Sequence, residues 1–349
     1  MGELTRKQIS GRKFNALLLA GGLRSAVLLA LCSLLLAPCS AAEAQQKDKV
    51  FRVGFLDPSN ASGSAVVVDV FRQELRKLGW VEGKNISIEY RFAEQKNDCM
   101  RELAAELVRL SVDLIVTTGD GPTLAAKKAT TIIPIVMTTS SDPVAQGLVA
   151  SLARPGGNVT GLSSLAADLN TKRLEILKDA IPKLARVALL QSPGSVTADL
   201  QLKELRPAAV ALKLKLEEID TQPDAKGLDS AFKTAKQKQV NAIMTVATRP
   251  FFAERKPIVE LAAKYRLPAI YFTKEFVDDG GLMSYGPDYD DLFRKAAHYV
   301  DKILKGAKPA DLSVQQATKF QFVINLKAAK QIGLTIPVRV LERANQVMR

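Results

Sequence analysis

The sequence predicts an α/β protein of two doubly wound parallel-sheet lobes, joined by a hinge that the chain crosses three times. Three observations predict it. Strand-like and helix-like segments alternate from residue 50 onward, which is the pattern of βαβ units. Segments such as "DLIVTT" (113–118) and "NAIMTVAT" (241–248) are apolar on both faces, as strands covered by two layers of helices must be. The alternation also occurs twice, over 50–160 and 185–275. Glycine-bearing connectors "NVTGLSS" (158–164) and "GLMSYGP" (281–287) lie between the halves, and a third passage falls at 306–319. The expected lobes are 50–163 with 284–308, and 164–283 with 309–349.

Each element follows from local pattern. "VFRVGFLD" (50–57) reads as a strand. "SAVVVDVFRQELRKLGW" (64–80) reads as a helix, with Val66, Val70, Phe71, Leu75 and Leu78 on one stripe at helical spacing. "VEGKN" is a turn and "ISIEYR" (86–91) a short alternating strand. The helix of "NDCMRELAAELVRL" (97–110) carries Leu103, Leu107 and Leu110 on one side. Strand 112–119, helix 122–130, strand 133–139, helix "PVAQGLVASL" (143–152) and strand 158–164 complete the first half.

The second half runs helix 171–182, strand "RVALLQS" (186–192), helix 198–213, strand 215–221, helix 227–238 and strand 240–248. Helix "FAERKPIVELAAKY" (252–265) and strand "LPAIYFT" (267–273) follow. "DYDDLFRKAAHYVDKILKG" (288–306) is a long helix that opens on carboxylates, where the helix dipole favours them. "AKPADLSVQQATK" (307–319) reads as a linker before strand 320–326 and helix 327–333.

The first residues read differently. Arg6, Lys7, Arg12, Lys13 and Arg24 make a basic start, "AVLLALCSLLLA" (26–37) is apolar, and "AEA" (42–44) supplies small residues at a cleavage position. This is the secretory-signal pattern, so 1–44 is expected to be a cleavable signal peptide and the mature chain periplasmic. An uncleaved anchor and lipidation of Cys39 are the rival readings. Pro38, where a small residue normally precedes a lipidated cysteine, argues against the second. The leader carries five basic and two acidic residues, so the 49 and 36 of the 349-residue chain become 44 and 34, a net of +10. Cys99 is then the sole thiol. Hydrophobic residues make up 47% and charged residues 24%, the composition of a chain that buries a core. The lysines are scattered over helices and form no dense tract with aromatics, so a solvated basic surface is expected and not a nucleic-acid partner.

Catalytic constellations are weak. His298 is the one histidine in the chain, which leaves neither a Ser-His-Asp triad nor a multi-histidine metal site. "TGDGPT" (118–123) is neither a GxGxxG fingerprint nor a P-loop. The acids of 278–279 and 288–291 lack calcium-loop spacing. No enzyme activity, cofactor or metal is expected.

The strand ends are informative, because ligands of open parallel sheets bind outside the carboxyl ends of the strands. Those ends read Asp57-Pro58-Ser59-Asn60, Thr118-Gly119-Asp120-Gly121, Thr138 to Asp142, Gln191-Ser192, Thr248-Arg249 and Thr273-Lys274-Glu275. Each set alone is explained by capping of the next helix. Together they point to one cleft lined by Ser59, Asn60, Thr118, Gly119, Asp120, Gly121, Ser141, Asp142, Ser192, Thr248, Arg249, Thr273 and Glu275.

The segments "RKLGWVEGKNISIEYRFAEQ" (76–95), "DPVAQGLVASLARPGGNVTGLS" (142–163), "KEFVDDGGLMSYGPDYDDLFRKAAHYVDKILKGAKPADL" (274–312) and "FQFVINLKAAKQIGLTIP" (320–337) together resemble the TrpX-like substrate-binding proteins of ABC transporters. The resemblance implies a type I periplasmic-binding-protein fold and a monomeric carrier. Such a carrier captures a small molecule between its lobes and delivers it to an ABC transporter permease. A sensor that presents the ligand to a membrane receptor needs the same cleft. Transcription regulators of this fold would carry a DNA-binding segment where the leader stands, and a hydrolase would need a GxSxG elbow. The family's glycine/threonine loop is matched by Thr118 to Pro122, and its "DPV" by Asp142-Pro143-Val144. Two positions depart: an Asn-Pro pair is Ser192-Pro193 here, and an Asp-Pro pair is Arg249-Pro250. The implied ligand is an amino acid or another small solute, and the arginine favours an anionic one.

Overall fold

The computed structural model describes residues 49–349. The leader expected over 1–44 lies outside the described residues, and Phe51–Arg349 form one compact unit. The first sheet contains β1 (Phe51–Asp57), β2 (Ile86–Phe92), β3 (Leu114–Thr117), β4 (Ile135–Ser140), β5 (Val159–Ser163) and β11 (Gln315–Gln316). Its order is β11-β5-β4-β3-β1-β2 and every pair is parallel. The second sheet contains β6 (Arg186–Gln191), β7 (Lys215–Asp220), β8 (Ala242–Thr245), β9 (Ala269–Tyr271), β10 (Met283–Pro287), β12 (Phe320–Asn325) and β13 (Gln346–Met348). Its order is β13-β12-β10-β9-β8-β6-β7, with β10 and β12 antiparallel and the other pairs parallel.

The helices that cover these sheets explain the apolar runs. β3, β4, β8 and β9 are buried at every residue, as strands with helices on both faces require. The first lobe carries α1 (Ala61–Lys77), α2 (Met100–Arg109) and α3 (Asp120–Ala129). The second carries α4 (Ala166–Ala180), α5 (Val196–Ala211), α6 (Ala225–Gln237), α7 (Arg249–Ala253), α8 (Arg255–Lys264) and α9 (Glu275–Asp278). The long helix α10 (Tyr289–Leu304) returns to the first lobe, where it packs on α1, β4 and β5. Its expected stripe of Leu292, Ala296, Tyr299, Val300 and Ile303 is buried, and His298 is exposed beside Glu74 at 3.2 Å. Two short helices, α11 (Leu326–Ile332) and α12 (Val338–Leu341), close the second lobe.

The chain passes between the sheets after β5, after β10 and after β11. β5 sits close to β4: Gly161 has φ +131°, and a Cβ there would fall 2.1 Å from the Met137 carbonyl oxygen. Ser284–Pro287, expected in the first lobe, pair with Phe320–Val323 in the second sheet. Gln315–Gln316, expected in a second-lobe linker, pair with Leu162–Ser163 in the first.

Four local expectations are corrected. The buried stripe of α1 is Val67, Val68, Phe71 and Leu75, and Val66 is exposed. The helix is rotated so that Ser64 also faces inward, where its hydroxyl meets Asp57. "PVAQGLVASL" is a run of turns. Gly147 has φ +64°, and the Leu148 and Val149 amides both return to the Pro143 carbonyl. The segment 252–265 is broken into α7 and α8 at Glu254. Pro257 has no N–H to give the Ala253 carbonyl, so the helix is interrupted one turn upstream. Cys99, expected on a helix, ends a short 3-10 turn (Asn97–Cys99) just before α2 and is exposed.

Among the described residues, no helix is long and apolar enough to cross a membrane, and no group of three or more His, Cys, Asp or Glu could hold a metal ion.

Candidate functional site

The carboxyl ends of both sheets open onto one cavity of about 290 Å³. Thr118, Gly119, Asp120, Gly121 and Ser141 line it from the first lobe, and Ser192, Thr248 and Arg249 from the second.

The first-lobe wall is built by the loop between β3 and α3. Gly119 has φ 94° and ψ 176°, a combination essentially restricted to glycine. The turn is pinned by the Thr123 hydroxyl, which donates to the Gly119 carbonyl at 2.7 Å and lies 2.7 Å from the Thr117 hydroxyl. It places Asp120 in the first turn of α3, with the carboxylate turned toward the end of β4. The Ser140 and Ser141 hydroxyls and the Ser141 amide donate to Asp120. The fourth donor comes from the other lobe: Thr197 Oγ1, on α5, reaches Asp120 Oδ2 at 3.2 Å. Burial pushes the Asp120 carboxyl above its ordinary range, against the hydrogen bonds from Ser140, Ser141 and Thr197 that hold it down.

The second-lobe wall is the loop that follows β8. Gln201 clamps it, since its Oε1 accepts from the Ala247 amide at 2.8 Å and its Nε2 donates to the Ala247 carbonyl at 3.1 Å. Asn170 Nδ2 supports Gln201 at 2.8 Å, and Arg173 donates to Asn170 and, at 2.7 Å, to the Tyr285 carbonyl on β10. A buried polar chain thus runs from the second crossing to the loop that carries Thr248 and Arg249.

Arg249 crosses the cleft. Its Nη2 donates to Asp57 Oδ2 at 3.2 Å and to Ser64 Oγ at 3.1 Å. The guanidinium also lies 4.5 Å from the centre of the Phe252 ring, a cation–π contact. Asp57 accepts from the Ser59 amide and hydroxyl as well. Arg249 Nε and Nη1 have no acceptor, and the Thr118, Thr139 and Thr248 hydroxyls and the Gln146 amide nitrogen also lack partners; all belong to residues that line the cavity. Tyr289 adds a phenol that burial pushes up to about 12, so it stays protonated at neutral pH.

Five residues expected in the cleft do not line the cavity. Ser59 is buried against Asp57 and Ser64. Asn60 caps α1, accepting from the Gly63 amide at 2.7 Å, and touches Glu254 of the second lobe at 3.3 Å. Asp142 accepts from the Val144 and Ala145 amides at 3.1 and 3.0 Å and caps the turn that follows it. Thr273 and Glu275 sit at the end of β9, where Glu275 starts α9 and is buried. Sequence reasoning missed Gln146, Thr197 and Tyr289, which line the cavity, and had Thr139 only within the polar strand ending 138–142, which also lines it. It also missed Asp57 as the partner of Arg249.

Two lobes on largely parallel sheets, three crossings and a cavity between strand ends make up the type I periplasmic-binding-protein fold. The family of ABC transporter substrate binding proteins matches residues 59–348, and the chain belongs to it. Its members are solute carriers and not enzymes. A tyrosine-binding protein of Clostridioides difficile (strain R20291) is 29% identical over 270 residues, which cover 76% of this chain and 75% of that one. A conserved domain protein from Vibrio cholerae superposes with a TM-score of 0.78 at 28% identity, covering 86% of this chain and all of that one. An ABC domain from Streptococcus pneumonia in complex with L-Trp superposes with a TM-score of 0.75 at 26% identity, covering 85% and 99%.

Proposed function

We propose that this protein, exported behind residues 1–44, captures a small solute in the cavity between its lobes and hands it to an ABC transporter permease. The observation that carries the proposal is the concentration of unpartnered polar atoms around that cavity, from Thr118 and Thr139 on one lobe and Thr248 and Arg249 on the other. Buried polar groups without partners are costly, so such a cluster supports a site where a ligand enclosed by the lobes supplies them. The volume lies near the lower end of the ~300–1,000 Å³ of small-molecule sites, which suits a compact metabolite. The tyrosine-binding and L-Trp-bound relatives support a solute of that size.

Capture follows from the bonds that span the cleft. Arg249 to Asp57 and Thr197 to Asp120 tie the lobes beside the cavity, and Gln95 Nε2 to Glu254 Oε1 at 2.9 Å adds a third tie between them. Opening at the three crossings breaks these bonds and admits the solute. Closing restores them around it, a hinge motion of the kind such folds use.

Native mass spectrometry of the protein purified from its own periplasm tests capture, with solution scattering before and after removal of any bound molecule. A co-purified small molecule and a smaller radius of gyration in the loaded form are expected. Failure to find a bound molecule, together with no thermal shift from any of a broad panel of solutes, would overturn the reading. Loss of uptake of the identified solute in a deletion strain tests delivery.

A further inference from the structure

We infer that the solute is a small organic anion that carries a carboxylate and no ammonium group. The inference builds on the solute-capture reading and names the substrate class of that same cavity.

The charges of the cavity wall lead to this class. Four charged residues line it: Arg101, Lys128 and Arg249 are cationic, and Asp120 is the lone acid. No carboxylate of the described residues forms an ion pair with Arg101 or Lys128; the Arg249 pair is Asp57, which is fully buried behind the wall. An incoming solute therefore meets an excess of positive charge.

An α-amino acid needs an acceptor for its ammonium as well as donors for its carboxylate. Asp120 is the one carboxylate placed to serve, and its capacity is already used. An ionised carboxylate offers about four lone-pair sites. Oδ1 accepts from Ser140 Oγ and the Ser141 amide, and Oδ2 accepts from Ser141 Oγ and Thr197 Oγ1. One of those donors, Thr197, comes from the opposite lobe, so the closed cleft consumes the last site. An ammonium placed there would have to displace a bond that holds the lobes together.

The donor side of the wall is unfilled. Asp57 and Ser64 occupy only Nη2 of Arg249, leaving Nε and Nη1 without acceptors. The Arg249 side chain is 3% exposed, so an acceptor reaches these nitrogens only when the lobes part and then close around it. The Gln146 amide nitrogen adds another unmet donor, and the hydroxyls of Thr118, Thr139 and Thr248 can each donate or accept. A carboxylate is the acceptor that an arginine fork recognises best. The cavity therefore provides donors for the negative end of a solute and leaves no open carboxylate for a positive one.

The test uses matched solutes that differ only in charge. Calorimetry on the mature protein compares 3-(4-hydroxyphenyl)propionate with L-tyrosine and tyramine, and indole-3-propionate with L-tryptophan and tryptamine. A thermal-shift panel of aliphatic mono- and dicarboxylates, the remaining amino acids and neutral sugars is run beside it. The expected result is that at least one carboxylate without an amine binds ten or more times more tightly than its amino-acid counterpart, and that amines do not bind. Lys128→Gln combined with Arg101→Gln should weaken that carboxylate several-fold and flatten its salt dependence. Binding of an amino acid as tightly as its matched acid, or of neutral solutes alone, overturns the inference and leaves solute capture standing. No binding by any class overturns both.

Discussion

Arg249 of the second lobe and Asp57 of the first form an ion pair across the cleft, 3.2 Å from Nη2 to Oδ2, with side-chain exposures of 3% and 0%. Burial makes the pair strong in one respect only. Removing one partner strands the other charge in a dry site, which typically costs about 3–5 kcal/mol. Asp57→Asn keeps the shape and removes the charge. We predict a loss of about that size against the closed form, read as a lower unfolding midpoint, a larger radius of gyration as the lobes part to hydrate Arg249, or both. Unchanged stability together with an unchanged radius would show that the pair does not hold the cleft.

Gly119→Ala tests the loop at the cavity floor. The added Cβ would meet nothing nearer than Arg249 Cγ at 3.8 Å, so crowding is not the obstacle. The backbone is: φ 94° with ψ 176° costs a residue with a side chain about 1–3 kcal/mol. Urea unfolding should register that loss. A variant as stable as the parent would mean that the loop adopts another conformation.

Glu275 gives a pH signature. Burial pushes its carboxyl above the ordinary range, with a smaller push from Asp290, while its own amide, the Thr273 hydroxyl and Lys274 pull it down. The folded protein therefore holds this proton more tightly than the unfolded chain. Its contribution is fully present below the unfolded value of about 4.3 and is lost as pH rises through the folded value. Glu275→Gln removes the titration. The variant should gain stability relative to the parent at pH 8 and lose that advantage near pH 4.5, as followed by thermal unfolding. A constant difference across that range would exclude Glu275 as the source.

Asp142→Asn separates a capping role from a binding one. Its carboxylate takes the Val144 and Ala145 amides and does not line the cavity. Asparagine caps about as well as aspartate. Stability should stay within about 0.5 kcal/mol, as for most surface changes, and affinity for the identified solute within twofold. A tenfold loss of affinity would bring Asp142 into the site.

Of the residues that the strand-end rule placed in a cleft, Thr118, Gly119, Asp120, Gly121, Ser141, Ser192, Thr248 and Arg249 line the cavity. Each lies just after a strand, where local pattern reaches. Thr197 and Gln146 enter the cavity from a helix start and a turn, which carry no such mark. The partnership of Arg249 with Asp57 spans 192 residues and depends on how the lobes meet, so no local signal encodes it. The turn after Asp142 was illegible for another reason. "VAQGLVASL" has helical spacing of apolar residues, and the outcome depends on Gly147 together with Lys127, whose Nζ donates to the Gly147 and Leu148 carbonyls at 2.7 and 3.1 Å.

The return of α10 to the first sheet bears on how this chain can be divided. A fragment ending near residue 164 holds β1 to β5 but lacks the helix whose Phe293, Ala296 and Val300 are buried in that lobe's core. The complementary fragment carries that same helix as an insertion with no first sheet beneath it. No single cut, whether by a protease, a gene fusion or a permutation, releases two whole lobes. Shuffling one lobe between relatives needs three junctions at once. During synthesis, too, the first lobe stays unfinished until β11 emerges, more than 150 residues after the β5 strand it pairs with, so its completion is tied to that of nearly the entire chain.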